Sequence, residues 1–349
     1  MNLEEVREKA RQKLMGICGV YKDCDGSPMR ICQGQSYGKP LKFGGIGSGT
    51  SFHNNFLAFR KHNIKMKVLG DHFEPDTSYD FLGKKLTIPI MAASVSGVNS
   101  FGGDEIITER EFCRSVVLGC KAAGTIGWRG DTYTYSLEST PGLDAIEEAN
   151  GWGVKIVKPR DQETIIKLFQ RAEKIGCIAV GTDVDGCESF AMYANKKPVF
   201  RKSVEDLREL VSSTKLPFIV KGIMCKEDAE KAYEAGATAI VVSNHGGRVL
   251  DHTPGSLDVL PEIVAAFKSK IKILLDGGVR TGYDVFKALA LGAEAVLIGR
   301  DIVRAAVGAG IEGVKIHMEY IEATLSKAMK LTGCKNLSEI TPELLYKAK

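Results

Sequence analysis

A marked excess of charge is missing from this 349-residue chain: 47 lysines and arginines face 43 aspartates and glutamates, for a formal net charge of +4. No basic run forms a stripe, so binding to nucleic acid or to an anionic membrane surface is not indicated. Apolar runs of membrane-spanning length are missing as well. The opening MNLEEVREKARQKLMG alternates charges along an amphipathic helix and has no apolar signal region, which speaks against secretion. A disulfide or metal framework is also lacking. Nine cysteines are an odd number, scattered over helical, strand and loop patterns, and point to a reducing cytoplasmic setting. Cys18, Cys24 and Cys32 are separated by five and seven residues, which matches no zinc or iron–sulfur spacing. Gly45, Gly47 and Gly49 imitate half of a dinucleotide fingerprint, but no strand precedes them and no acidic residue ends a following strand at the required distance.

What is present is a regular alternation. Residues 1–15 form a helical pattern, and Gly16 to Gly49 is irregular. From Ile88 onward eight strand-like runs begin at Ile88, Ala123, Val154, Ile178, Pro217, Ala239, Ile271 and Ala295. Helical patterns such as RDQETIIKLFQRAEKIG and SVEDLRELVSST lie between them. Continuous apolar strands alternating with helices imply a parallel sheet buried on both faces. Gly124, Gly176, Gly236 and Gly292 recur as left-handed caps between a helix and the next strand. Ser203-x-x-Asp206 and Thr281-x-x-Asp284 read as capping boxes. Eight such units close a (βα)8 barrel. The division expected is an N-terminal helix and irregular extension over residues 1–87, packed on a barrel with a helical tail over 88–349, with a long last helix from Gly313.

In such a barrel the chemistry sits at the C-terminal ends of the strands. Between Lys221 and Arg300 those ends carry Lys221, Ser243-Asn244-His245 with Arg248, Asp276-Gly277-Gly278-Val279-Arg280, and Gly299-Arg300. The turns DGGVRTG and IGR follow the seventh and eighth strands. Their glycines let backbone N–H groups approach an anion, the next helix N-terminus adds its dipole, and Arg280 and Arg300 supply charge, which together read as a phosphate grip. His245, backed by two glycines that clear space around it, suits proton abstraction near neutral pH, and Arg248 can fork onto a carboxylate. Lys221 ends an apolar strand and is costly to bury without an anion opposite.

These residues carry a resemblance. VKGI, SNHGGRVLD, DGGVRTGYDVFKALALGA and VLIGR are similar to the FMN-dependent 2-hydroxy-acid oxidases and dehydrogenases of the glycolate oxidase and lactate oxidase family. The likeness is dense from Pro217 to the C-terminus and thinner before it, where NNFLAF around Asn55 and LGKKLTIPIMAAS resemble the family's early part. The resemblance implies an FMN cofactor and a small 2-hydroxy acid, lactate- or glycolate-like, as substrate. It makes His245 the base, Arg248 the carboxylate anchor and Lys221 the group stabilising negative charge on the flavin. Asp185, with Asp183 as its neighbouring alternative, would orient the histidine. Asp276, Gly277, Gly278, Arg280, Gly299 and Arg300 would hold phosphate and ribityl chain. Ser94, Ser96 and Ser243 join the cofactor set, and a homo-oligomer follows by family habit.

Departures from the family pattern bear on the substrate. The glutamine-x-tyrosine of the third strand reads Gly153-Val154-Lys155, so Lys155 is expected to take over an anion-binding role. A second arginine after Asp185 is missing, the lid segment is short, and Tyr193, Lys196, Lys197 and Arg201 are weak substitutes. The early tyrosine pair is absent near Phe43, and the family's flavin turn is replaced by Ala93-Ser94-Val95-Ser96. No haem-binding segment is read, and the final electron acceptor is not written in the chain. Competing readings are a type 2 isopentenyl diphosphate isomerase-like or inosine monophosphate dehydrogenase-like barrel, and a non-catalytic flavin-binding protein.

Overall fold

The computed structural model describes residues 1–14 and 44–347, so Cys18, Cys24, Cys32 and Phe43 lie outside the described residues. Eight parallel strands form one sheet: β1 (Ile90–Ala92), β2 (Trp128–Arg129), β3 (Val154–Val157), β4 (Ala179–Asp183), β5 (Phe218–Ile223), β6 (Ala239–Val242), β7 (Lys272–Asp276) and β8 (Ala295–Ile298). From β2 to β8 each strand pairs with the next in chain order, and β8 pairs with β1 through Val296–Ile90 and Ile298–Ala92. The circle closes where Ala92 N–H donates to Ile126 O at 3.0 Å and Ala92 bridges Gly127. The expected (βα)8 barrel is therefore what the chain forms.

Side-chain parity explains the two hydrophobic cores. Met91, Trp128, Val154, Ile156, Ala179, Ile219, Ala239, Val241, Leu274, Ala295 and Leu297 share the barrel interior. Their immediate neighbours, such as Val180, Val220, Ile240, Ile273 and Val296, belong to the larger cluster between strands and helices. A hairpin of Tyr79–Phe81 and Lys84–Leu86 closes the N-terminal mouth, since Phe81 and Leu86 are buried in the interior cluster. The opposite mouth is left for chemistry.

The local signals hold. Gly124, Gly176, Gly236 and Gly292 all have φ between 73° and 104°, and the Ser203 and Thr281 capping boxes are both formed. Two details differ from expectation. The run from Ala123 is the helix end and crossing, with the β2 ladder starting only at Trp128. The long last helix expected from Gly313 does begin close to there, but a further helical stretch from Arg300 precedes it, the two divided at Ala309 and Gly310, whose φ is +57°. The N-terminal helix Leu3–Leu14 packs Val6, Ala10 and Leu14 into the larger core beside this last helix.

Candidate active site

The C-terminal mouth holds a cleft of about 1150 Å³. Its walls come from strand ends: Ala93–Ser96 after β1, Asp131 and Thr132 after β2, Lys158 after β3, Lys221 on β5, His245, Gly246 and Arg248 after β6, Asp276–Arg280 after β7, and Gly299 and Arg300 after β8.

His245 is held at φ +57°, a left-handed conformation uncommon for a residue with a side chain. Its amide donates to Ser243 Oγ at 3.0 Å. Its Nδ1 lies 3.0 Å from Asp185 Oδ1 and 3.9 Å from Asp183 Oδ2. Asp185 is thus the immediate partner and Asp183 the more distant one. A bulge in β5 between Lys221 and Ile223 carries Gly222 at φ +101°, where a Cβ would lie 2.6 Å from Asp185 Cγ. Glycine there lets the carboxylate come up under the imidazole. Burial alone would raise the Asp185 carboxyl, but His245, Lys221 and Lys158 bring it down to about 2. It is an anion under all ordinary conditions.

The two glycines after His245 do something other than clear space for it. A Cβ on Gly246 would sit 2.5 Å from Arg300 Nη1, and one on Gly247 would sit 2.7 Å from Phe52 Cα. The space is already used. Arg300 threads through it, donating to Gly246 O at 2.9 Å and to Gly44 O at 3.0 Å, and stacks 4.5 Å over the Phe52 ring. The helix Thr50–Arg60 also ties both active-site loops together. Asn55 Nδ2 donates to Asn244 Oδ1 at 2.7 Å, while Asn55 Oδ1 accepts from Ser256 N–H at 3.0 Å.

Lys221 is almost fully buried, donates to Ser243 Oγ at 3.0 Å and faces Asp276 Oδ2 at 3.5 Å. Burial works against its ammonium, yet Asp276, Asp185 and Asp183 outweigh that cost and raise its pKa, so it stays charged. Ser243 is not on the cleft wall; it sits behind Lys221 and His245 and braces both.

The comparisons with known proteins now bear on this geometry. The family model described as FMN-dependent dehydrogenase matches residues 42–188 and 188–347. The chain belongs to the FMN-dependent dehydrogenase family. It is 34% identical to a peroxisomal (S)-2-hydroxyacid oxidase of Arabidopsis thaliana, covering 85% of this chain and 88% of that protein. It is 49% identical to 2-hydroxyacid oxidase 2 of Bos taurus, covering 86% and 91%. A crystal structure of mandelate oxidase superposes with a TM-score of 0.78 at 28% identity, covering 99% of this chain and 97% of that one.

The cleft fits the FMN of this family. Gly277 and Gly278 adopt φ of +96° and +87°, so their backbone lies bare along the wall. Asp276 Oδ1 is buried without a hydrogen-bond partner, a vacant acceptor on that same wall. Arg280 and Arg300 line the same end. Arg280 also faces Asp301 Oδ2 at 3.5 Å, and Arg304 meets Asp301 Oδ1 at 2.5 Å, which together hold the Asp301 carboxyl far below its usual range despite burial. One expectation is narrowed. The N–H groups of Arg280 and Thr281 are committed to Asp284 and that of Gly282 to Thr324 Oγ1. The helix after β7 therefore spends its first donors internally, which leaves the glycine turn and the two guanidinium groups as the groups on this wall that could meet an anion.

Lys155 is not brought to the cleft. It alternates with the inward Val154 and Ile156, so it points to the helix side, where its ammonium donates to Gly130 O and lies 5.3 Å from the centre of the Tyr135 ring. Burial lowers its pKa. Tyr193 is 80% exposed, Lys196, Lys197 and Arg201 are exposed too, and none of them lines the cleft; Ser189, Ala191 and Met192 do. The residue that sequence reasoning passed over is Lys158, which shares the inward parity of Val154 and Ile156 and lines the cleft.

Proposed function

We propose that this chain oxidises a small 2-hydroxy acid to the 2-oxo acid, with His245 as base and Arg248 as carboxylate anchor. The observation that carries the reading is the pairing of His245 Nδ1 with Asp185 at 3.0 Å, which leaves Nε2 to face the cleft that Arg248 also lines. Bound FMN supplies the two-electron acceptor. Arg248 fixes the carboxylate and so sets which hydrogen of the substrate faces inward. Asp185 holds the ring as the Nδ1–H tautomer and stabilises the imidazolium formed when Nε2 takes a proton. Lys221 would place a positive charge beside the bound flavin, and Asp276, whose Oδ1 has no partner, would help to hold the ribityl chain.

The named relatives are 2-hydroxyacid oxidases and the structural neighbours mandelate oxidases, which supports this reading over an isomerase. The six free cysteines among the described residues support a cytosolic setting. A homo-oligomeric state is carried over from the resemblance. No described helix is long and apolar enough to cross a membrane.

The test is anaerobic mixing of the yellow protein with L-lactate, glycolate and larger 2-hydroxy acids. Loss of the oxidised flavin band with one of them is expected. A flavin that stays oxidised against the whole panel would favour a non-catalytic flavin protein.

The pH dependence has a definite sign. Burial first, then Lys221 and Lys158, pull the His245 pKa below its ordinary 6.5, while Asp185 pulls it up. The base works as neutral imidazole, so activity is present above its pKa in the enzyme and is lost as pH falls through it. The acid limb of kcat/KM for flavin reduction is expected below pH 6.5. A limb well above that value would mean that Asp185 dominates instead.

A further inference from the structure

Lys158 directly follows β3 with its side chain in the cleft, 9% exposed, its ammonium donating to Asp183 Oδ2. The same Nζ lies 3.5 Å from His245 Nε2. That is the ring nitrogen Asp185 does not use, the one open to substrate. Four charged groups therefore surround the imidazole: Lys158 just after β3, Asp183 at the end of β4, Asp185 in the loop after it, and Lys221 on β5. An oxygen about 2.8 Å from each of two nitrogens 3.5 Å apart makes an ordinary hydrogen bond to both. The site is built for a shared oxygen.

We propose that Lys158 is a catalytic residue that donates a hydrogen bond to the 2-hydroxyl oxygen of the substrate while His245 Nε2 accepts that hydroxyl's proton. The role rests on the 2-hydroxy-acid reading of the site. As the proton moves to Nε2, its bonding pair stays on the oxygen, and the Lys158 ammonium stabilises the charge that collects there. Arg248, on the same cleft wall, holds the carboxylate. This assigns the second substrate cation to Lys158, where the sequence points to Lys155 for an anion-binding role.

Stopped-flow reduction by the best 2-hydroxy acid tests the role. Lys158→Met is expected to keep its FMN and lose about a hundredfold in the rate of reduction, the size of one lost donor on a developing oxyanion. Because that variant leaves Asp183 buried and unpaired, Lys158→Met/Asp183→Asn is made alongside, with the same loss expected. Lys158→Ala should recover part of the lost rate when ethylamine is added, a response that a merely structural lysine would not give. A separate readout needs no turnover: oxalate should bind equally well to wild type and Lys158→Met by calorimetry, since Arg248 is intact. Rates within threefold of wild type in both methionine variants would overturn the role alone. A wild-type flavin that no 2-hydroxy acid reduces would overturn the functional reading and this role with it.

Discussion

Replacing His245 by alanine should slow flavin reduction by a 2-hydroxy acid about a thousandfold, or about 4 kcal/mol of barrier, while leaving FMN bound. Alanine keeps a Cβ, so the backbone strain at φ +57° is unchanged and the loop has no reason to rearrange. The proposed phosphate end, the Gly277–Gly278 turn with Arg280 and Arg300, uses no atom of the imidazole, so the cofactor is expected to stay bound. What disappears is the group proposed to take the proton. Asp185 lies behind the ring and off the cleft wall, so it cannot replace the base directly, and Lys221 and Lys158 still hold it anionic. Stopped-flow absorbance gives the rate and the retained colour in one experiment. A variant reduced as fast as wild type would remove His245 from the chemistry and leave Arg248 as an anchor with nothing to serve.

Much of this architecture is legible in the sequence, and the reasons are local. Gly176 and Gly236 mark helix ends because the left-handed cap suits glycine, and Asp206 and Asp284 mark helix starts because a carboxylate three residues on satisfies orphan donors. Apolar runs fixed the strand count. The position of His245 on the cleft wall was legible because the strand-end rule of the barrel gives a lone histidine a definite place. What resisted reading was long-range. Nothing near Gly246 in the chain says that Arg300 fills the room beside it, or that Asn55 stitches the β6 and β7 loops together.

The third strand shows how an error of a single position arises. Setting Gly153 and Lys155 against a family glutamine and tyrosine made Lys155 the inward residue. In the barrel Val154 and Ile156 face in, and a one-residue shift exchanges every side chain between core and helix layer. The same parity extended two residues further selects Lys158. Had the apolar residues been used to set the frame, with Val154 and Ile156 matched to the inward Ala179 of β4, the correct lysine would have been available from sequence alone.

Gly278→Ala should have the largest effect on holoenzyme integrity, for two separable reasons. Its φ of +87° lies where a Cβ costs about 1–2 kcal/mol. That Cβ would also lie 2.8 Å from the Asn55 carbonyl carbon and closer still to its oxygen, so helix Thr50–Arg60 must move. Asn55 cannot give way cheaply, since its side chain joins Asn244 on one side and Ser256 on the other, and Asn244 also accepts from Gly247 N–H at 3.0 Å. Displacement would reach the loop that carries His245. A total of about 3 kcal/mol is expected once the clash is added to the strain, together with at least a tenfold weaker hold on FMN. Gly83→Ala separates the two causes. Gly83 has φ +78°, but nothing lies within 4 Å of its added Cβ, so it carries the strain without the clash. Thermal unfolding followed with flavin fluorescence should show a small shift and full cofactor content for Gly83→Ala, and a large shift with early flavin release for Gly278→Ala. Equal behaviour of the two would mean that the Asn55 contact yields freely and that the β7 turn does not depend on it.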